Sequence, residues 1–205
     1  MVTVVDYGVG NIGAILNAFD YLGIDAEATS DSTKITHAQR LILPGVGSFD
    51  VAMKTLHARG LVGPLNEAVV GKQVPVLGVC LGMQLLARSS EEGKEPGLGW
   101  VCADVRRIPT PLDGALKVPN IGWRTISVVR ENPVLPCAIN GSRFYFTHSY
   151  YICCDSPMNE IASLEYGIPI CCAVAHKNIF GVQFHPEKSH RFGLALLKRF
   201  GDLPC

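Results

Sequence analysis

The sequence predicts an α/β protein: a mostly parallel central sheet flanked by helices, with additional antiparallel strands in the C-terminal half. Three observations carry this. Up to Arg88 the chain alternates strand-like and helix-like runs, which implies a parallel sheet with covering helices. The runs "RLILP" and "VPVLGV" are apolar nearly throughout, as strands buried on both faces are. Past "SSEEGKEPGLG", a polar, glycine-rich turn region, the runs become short and spaced like hairpin strands.

In chain order, strands are expected at Thr3–Asp6, Asp25–Ala28, Arg40–Leu43 and Val74–Val79. Helices are expected at Asn11–Leu22, Phe49–Ala58, Leu61–Val70 and Leu81–Arg88. The second half should hold strands at Val101–Ile108, Thr125–Arg130, Phe144–Ile152, Glu160–Glu165, Cys171–Ala175 and Ile179–Phe184. A last amphipathic helix, Arg191–Phe200, carries Phe192, Ala195, Leu196 and Phe200 along one stripe. No linker or internal repeat divides the chain, so residues 1–205 read as a single domain.

Hydrophobic residues make up 48% and charged residues 18% of 205, a composition that builds a core and argues against disorder. Formal net charge is zero, which leaves no electrostatic footprint for nucleic acid or an anionic membrane. No apolar run is long enough to span a bilayer, and the N-terminus lacks the basic-then-apolar order of a secretion signal. None of the eight cysteines has C-x-x-C spacing, so no metal site is expected. Most of them read as small buried hydrophobes in a reducing cytoplasm, with one or two reactive.

"DYGVGNIG" places Gly8, Gly10 and Gly13 in G-x-G-x-x-G spacing between a strand and a helix, the outline of a dinucleotide-binding fingerprint. "VPVLGVCLGMQLLA" is more informative. Gly78-Val79-Cys80-Leu81-Gly82 is G-x-C-x-G at a strand-to-helix junction, a nucleophile elbow with cysteine in place of serine. The sharp turn exposes the thiol above the sheet, and the helix N-terminus favours a thiolate. The Leu81 N–H would point where an oxyanion forms. A buried structural cysteine between packing glycines is the plainer alternative.

A cysteine nucleophile needs a base, and the base an orienting group. In "GVQFHPEKS", His185 follows an apolar strand and Glu187 stands two positions on. In an extended segment both face one side, so Glu187 can hold one imidazole nitrogen while the other faces Cys80. An isolated His-x-Glu would be a surface ion pair. The Cys80 elbow puts the catalytic reading ahead. "LILPGVGSF" offers a second oxyanion donor at the same sheet edge, from a turn whose glycines free the backbone N–H groups.

Together, "LPGVGSFD", "GVCLGMQLL", "FYFTHSYY" and "GVQFHPEKS" resemble the class I, triad-type glutamine amidotransferases. "DYGVGNI" narrows the resemblance to the glutaminase subunits of imidazole glycerol phosphate synthases, over nearly the whole chain. The resemblance implies Cys80 as nucleophile, His185 as acid/base and Glu187 as orienting carboxylate. It implies an oxyanion hole from the backbone N–H groups of Val46 and Leu81, and a glutamine site at Gly47, Gln84, Ser149 and Tyr150. It implies no cofactor, and it turns "GVGNIG" toward a partner subunit in place of a nucleotide. That partner would be a cyclase with a (β/α)8 barrel, forming a heterodimer and receiving ammonia, in histidine biosynthesis. Asn11, alternatively a helix cap, and Trp123, equally readable as a core residue, are the interface candidates. Asn120, Ile121 and Arg124 depart from the family's common P-H-M-G-W-N at this strand. The tail "EKSHRFGLALLKRF" also resembles a paralogous branch, which supplies ammonia to an amidine-forming enzyme of surface-polysaccharide synthesis. A cysteine peptidase or esterase and a non-catalytic scaffold are rival classes. Gln84 and "THSYY" speak against the first, and the intact Cys80, His185 and Glu187 against the second.

Overall fold

The protein is described by a computed structural model that covers residues 1–110 and 116–204. In the first half, β1 (Val2–Val5) leads to α1 (Ile12–Tyr21), β2 (Ala26–Thr29) to α2 (Ser32–Thr36), and β3 (Leu41–Leu43) to α3 (Phe49–Ala58). Then α4 (Val62–Asn66) continues as a π-helical turn, Glu67–Gly71, and β4 (Val76–Val79) meets α5 (Leu81–Gln84) at Cys80. After β5 (Ser89–Ser90) come β6 (Ala103–Arg107), β7 (Asn120–Thr125), β8 (Ser127–Val128) and β9 (Arg143–His148). The chain ends with β10 (Tyr150–Cys154), β11 (Glu160–Glu165), β12 (Pro169–His176), β13 (Ile179–Val182) and α6 (His190–Gly201).

The eight-stranded main sheet runs β2-β1-β3-β4-β13-β12-β11-β8. Strands β2 through β13 in that order pair in parallel, and β12, β11 and β8 add on antiparallel. This is the mostly parallel sheet with antiparallel additions that the sequence predicts. The apolar runs explain themselves here. Val5, Leu41, Leu43 and Val76 point into the core on one face of the sheet, while Val4, Ile42, Leu77 and Val79 point into the core on the other. Each such side chain contributes roughly 1.5–3 kcal/mol by leaving water. Because β1, β3, β4 and β13 are parallel, the loops after them line one sheet edge. That edge is where open α/β sheets place their ligands.

Several elements differ from expectation. The helix predicted at Leu81–Arg88 stops at Gln84. The carbonyls of Leu85, Leu86, Ala87 and Arg88 are taken instead by the N–H groups of Leu98, Val101, Gly99 and Gly97, so a returning loop replaces the next helical turn. α2 is too short to show periodicity; its signal is Asp31, whose carboxylate accepts from the Thr33 and Lys34 N–H groups. Thr125–Arg130 yields only the two-residue β8, while the strand of this region, β7, starts earlier. Phe144–Ile152 is two strands. The chain turns at Ser149, so that β9 pairs with β7 in a separate ribbon while β10 joins β6 and β5 in a small sheet. No glycine or proline marks that corner.

Candidate functional site

The G-x-C-x-G segment forms the tight turn its spacing implies. Cys80 sits at φ 55°, ψ −112°, a strained conformation for a residue with a Cβ. Its N–H donates to the Val182 carbonyl at 2.8 Å, which ties the turn to β13. A Cβ on Gly78 would lie 2.6 Å from the Gly82 carbonyl oxygen, and one on Gly82 would overlap the Leu43 carbonyl. The glycines are therefore required by backbone packed on backbone. α5 is a single turn, so the dipole it offers the thiol is smaller than the predicted longer helix would give.

The Pro44–Gly47 turn is held against this elbow. A Cβ on Gly45 would come within 2.7 Å of the Gly82 nitrogen. The Tyr7 hydroxyl donates to the Pro44 carbonyl at 2.6 Å, and burial holds that phenol well above its usual pKa. Gly10, at φ +116°, packs where a Cβ would meet Pro44 at 2.8 Å. Gly13 has open space around it, whereas the third glycine of a dinucleotide fingerprint is needed for close helix packing. Of the opening glycines, Gly10 thus shapes the turn that carries Val46. Among the described residues, no acceptor is found for the backbone N–H of Val46 or Leu81.

His185 and Glu187 are both buried, at 2% and 1% exposure, and the imidazole Nδ1 donates to Glu187 Oε1 at 2.8 Å. The pairing is made differently from the extended segment expected. His185 precedes a 3-10 turn at Pro186–Lys188, and that turn brings Glu187 under the ring. The other nitrogen, Nε2, is buried without a hydrogen-bond partner. His185 is driven to a pKa of about 9. Burial alone would lower it, but the proximity of the Cys80 thiol and the Glu187 carboxylate stabilises the imidazolium and outweighs burial.

One cavity of about 280 Å³ gathers Cys80, Leu81, Gln84, Val46, Gly47, Ser149, Tyr150 and His185. Glu187 stands behind His185, and the two remaining candidates lie outside the cavity. Asn11 caps α1, its side chain accepting from the Ala14 N–H. Trp123 is half-buried, stacked on His190 at 5.0 Å with Tyr145 edge-on. Gln84 spends both amide N–H groups inside the protein, on the Tyr150 carbonyl and on Gln183 Oε1, each at 3.0 Å.

The sequence reading did not single out Gln183, His148, Thr147, Pro119 or Glu92. Gln183 is wholly buried and directs Nε2 at the Cys80 sulfur, 3.7 Å away. His148 lines the cavity, its Nδ1 bonded to the Tyr150 carbonyl at 2.8 Å. Burial, reinforced by the neighbouring His185, lowers its pKa to about 4 and keeps it neutral. Both stand as polar residues inside apolar strands, "GVQF" and "FYFTH", and that is the signal that would have found them. Glu92, in the polar turn region, carries no such signal. The expectation that most cysteines are buried is corrected: Cys80, Cys171 and Cys172 are buried, Cys153 and Cys154 half-buried, and Cys102 and Cys137 exposed. The last two sit in turns outside the core strands. Cys205 lies outside the described residues.

With this geometry in view, the chain can be compared with known proteins. Residues 3–202 match the family described as glutamine amidotransferase class-I. The imidazole glycerol phosphate synthase subunit HisH 2 of Pseudomonas aeruginosa is 49% identical over 99% of this chain and 100% of its own. The HisH 2 subunit of Methanococcus maripaludis is 45% identical over 98% of each chain. A solved glutamine amidotransferase, 20% identical, superposes with a TM-score of 0.72 over 96% of this chain and 98% of that one, a likeness of fold. The chain belongs to the class I glutamine amidotransferase family.

Proposed function

We propose that this protein is the glutaminase subunit of an imidazole glycerol phosphate synthase, with residues 1–205 acting as one unit in the cytoplasm. Cys80 attacks the side-chain carboxamide of glutamine as a thiolate. The backbone N–H groups of Val46 and Leu81 hold the tetrahedral oxyanion, each contributing about 3–4 kcal/mol. His185, oriented by Glu187, protonates the departing ammonia. It then takes a proton from water, which cleaves the thioester and releases glutamate. Gln84, its N–H groups committed, offers Oε1 as an acceptor, suited to the substrate's ammonium. Ser149, Tyr150 and Gly47 complete the glutamine site.

Ammonia passes to a cyclase subunit, a (β/α)8 barrel bound in a heterodimer, for histidine biosynthesis. Asn11 and Trp123 belong to the surface that meets it. The relatives at 49% and 45% identity bear the synthase name, which favours this pathway over the surface-polysaccharide branch. The observation that carries the reading is one cavity lined by Cys80, His185, Val46 and Leu81, with no acceptor found among the described residues for the backbone N–H of the last two. The test is glutamate release from glutamine, by the chain alone and with the cyclase and its nucleotide substrate. Stimulation by that pair is expected. An equal rate in both arms defeats the partner assignment, and no glutamate in either defeats the chemistry.

A further inference from the structure

The strand in "PNIGWR" starts beside the candidate cavity, which Pro119 and His148 line. Asn120 and His148 stand opposite each other in the β7–β9 ribbon, and both are buried, at 0% and 5% exposure. Arg124 Nε donates to Asn120 Oδ1 at 2.9 Å. Asn120 Nδ2 lies 3.0 Å from His148 Nε2, and His148 Nδ1 lies 2.8 Å from the Tyr150 carbonyl.

Only one arrangement of protons satisfies this row. A guanidinium has no acceptor, so Asn120 must turn its oxygen to Arg124 and its NH₂ to His148. His148 Nε2 must then accept, which puts the ring proton on Nδ1, the atom facing a carbonyl that can only accept. Turning over the Asn120 amide, or protonating the ring, sets two donors or two acceptors face to face. The row continues inward. The Tyr150 carbonyl also accepts from Gln84, Gln84 donates to Gln183, and Gln183 points at Cys80. Its outer end is anchored. The Arg124 guanidinium lies over the Tyr166 ring at 5.2 Å and also donates to the Ile121 and Trp123 carbonyls.

We propose that Arg124, Asn120 and His148 form a one-way hydrogen-bond relay that positions the Ser149–Tyr150 corner and Gln84, and so sets this chain's affinity for glutamine. The inference rests on the glutaminase reading above. The three are positioning residues: they act on the substrate through the Tyr150 carbonyl. The Ile108 N–H already holds the Ser149 carbonyl at 2.9 Å, and the relay adds a second hold on the corner at the Tyr150 carbonyl. Buried as it is, Asn120 cannot be replaced by water at the imidazole.

The test is steady-state glutamate release with the cyclase partner present. Asn120→Leu keeps the volume and removes the donor. KM for glutamine is expected to rise about tenfold, with kcat changing by less than about threefold. Asn120→His keeps one donor and one acceptor and is expected to regain most of the affinity. Arg124→Met leaves the amide free to turn over and should raise KM about threefold. It decides the matter if Asn120→Leu does not fold. Unchanged KM in the folded variants overturns the relay. So does a fall in kcat alone, the signature of fewer intact sites. If the unaltered chain releases no glutamate, the glutaminase reading itself fails and takes the relay with it.

Discussion

The two halves of the site are held by different forces. The parallel sheet presents Cys80 and the Pro44–Gly47 turn through backbone packed on backbone, with no room for a methyl group at Gly45, Gly78 or Gly82. The β7–β9 ribbon and the β10 sheet present Ser149 and Tyr150 at a corner held by the Ile108 N–H on the Ser149 carbonyl and by side-chain hydrogen bonds to the Tyr150 carbonyl. Steric fixing is all-or-none, since overlap of hard atoms has no intermediate solution. Hydrogen-bond fixing is graded, and a single substitution shifts it without unmaking the fold. On the proposed mechanism, chemistry sits on the rigid half and substrate affinity on the adjustable half.

Four substitutions break or sharpen this contrast. Cys80→Ala removes the nucleophile, and glutamine hydrolysis should fall by about 10⁴-fold or more. The fold should be untouched, which circular dichroism would check; retained activity sinks the assignment. Gly82→Ala drives a Cβ into the Leu43 carbonyl. It should destabilise the protein by about 3 kcal/mol, read from urea unfolding. A neutral result would mean the elbow is not backbone-locked.

Glu187→Gln should lower kcat by about 10²-fold and alter the pH profile. His185 is raised from its ordinary 6.5 to about 9. A raised histidine stabilises the fold in its protonated form. That stabilisation is complete below about pH 6.5 and is lost as pH rises through about 9. The same deprotonation removes the acid for the leaving ammonia, so kcat/KM should fall on the alkaline side there. The variant loses part of what supports the imidazolium, and its alkaline limb should move to lower pH. An unmoved limb would separate Glu187 from the titration. Gly13→Ala has the smallest effect. The space around Gly13 is open, and alanine should stabilise α1 by about 0.5–1 kcal/mol with glutaminase activity intact. A loss of activity would show that the third glycine has a role at the site.

The legible parts of the sequence were those where one local cause dictates the structure. Continuous apolar runs gave β1, β3 and β4, because only strands covered on both faces tolerate them. G-x-C-x-G marked the elbow because its glycines are a steric necessity. The illegible parts depend on distant partners. Leu85–Arg88 has helical periodicity, yet its carbonyls are claimed by residues 97–101. The Phe144–Ile152 run reads as one strand, but its two ends find different partners in β7 and β6. An extended segment would place His185 and Glu187 on one side, while in the structure a 3-10 turn brings them together. Gln183 is a single polar letter after an apolar run and His148 sits in the polar T-H-S that ends one, and their contacts come from what lies across the sheet.

The sequence by itself determined the α/β class, the thiol turn at Cys80 and the closeness of His185 to Glu187, each written in neighbouring residues through sterics and periodicity, and its motifs together carried the resemblance to the family. Only the tertiary structure decided that Gly10 and Tyr7 buttress Pro44, and that Asn120 and Arg124 reach Tyr150 through His148. Those contacts join residues far apart in the chain, and a hydrogen bond's direction is fixed only when every donor and acceptor around it is in place.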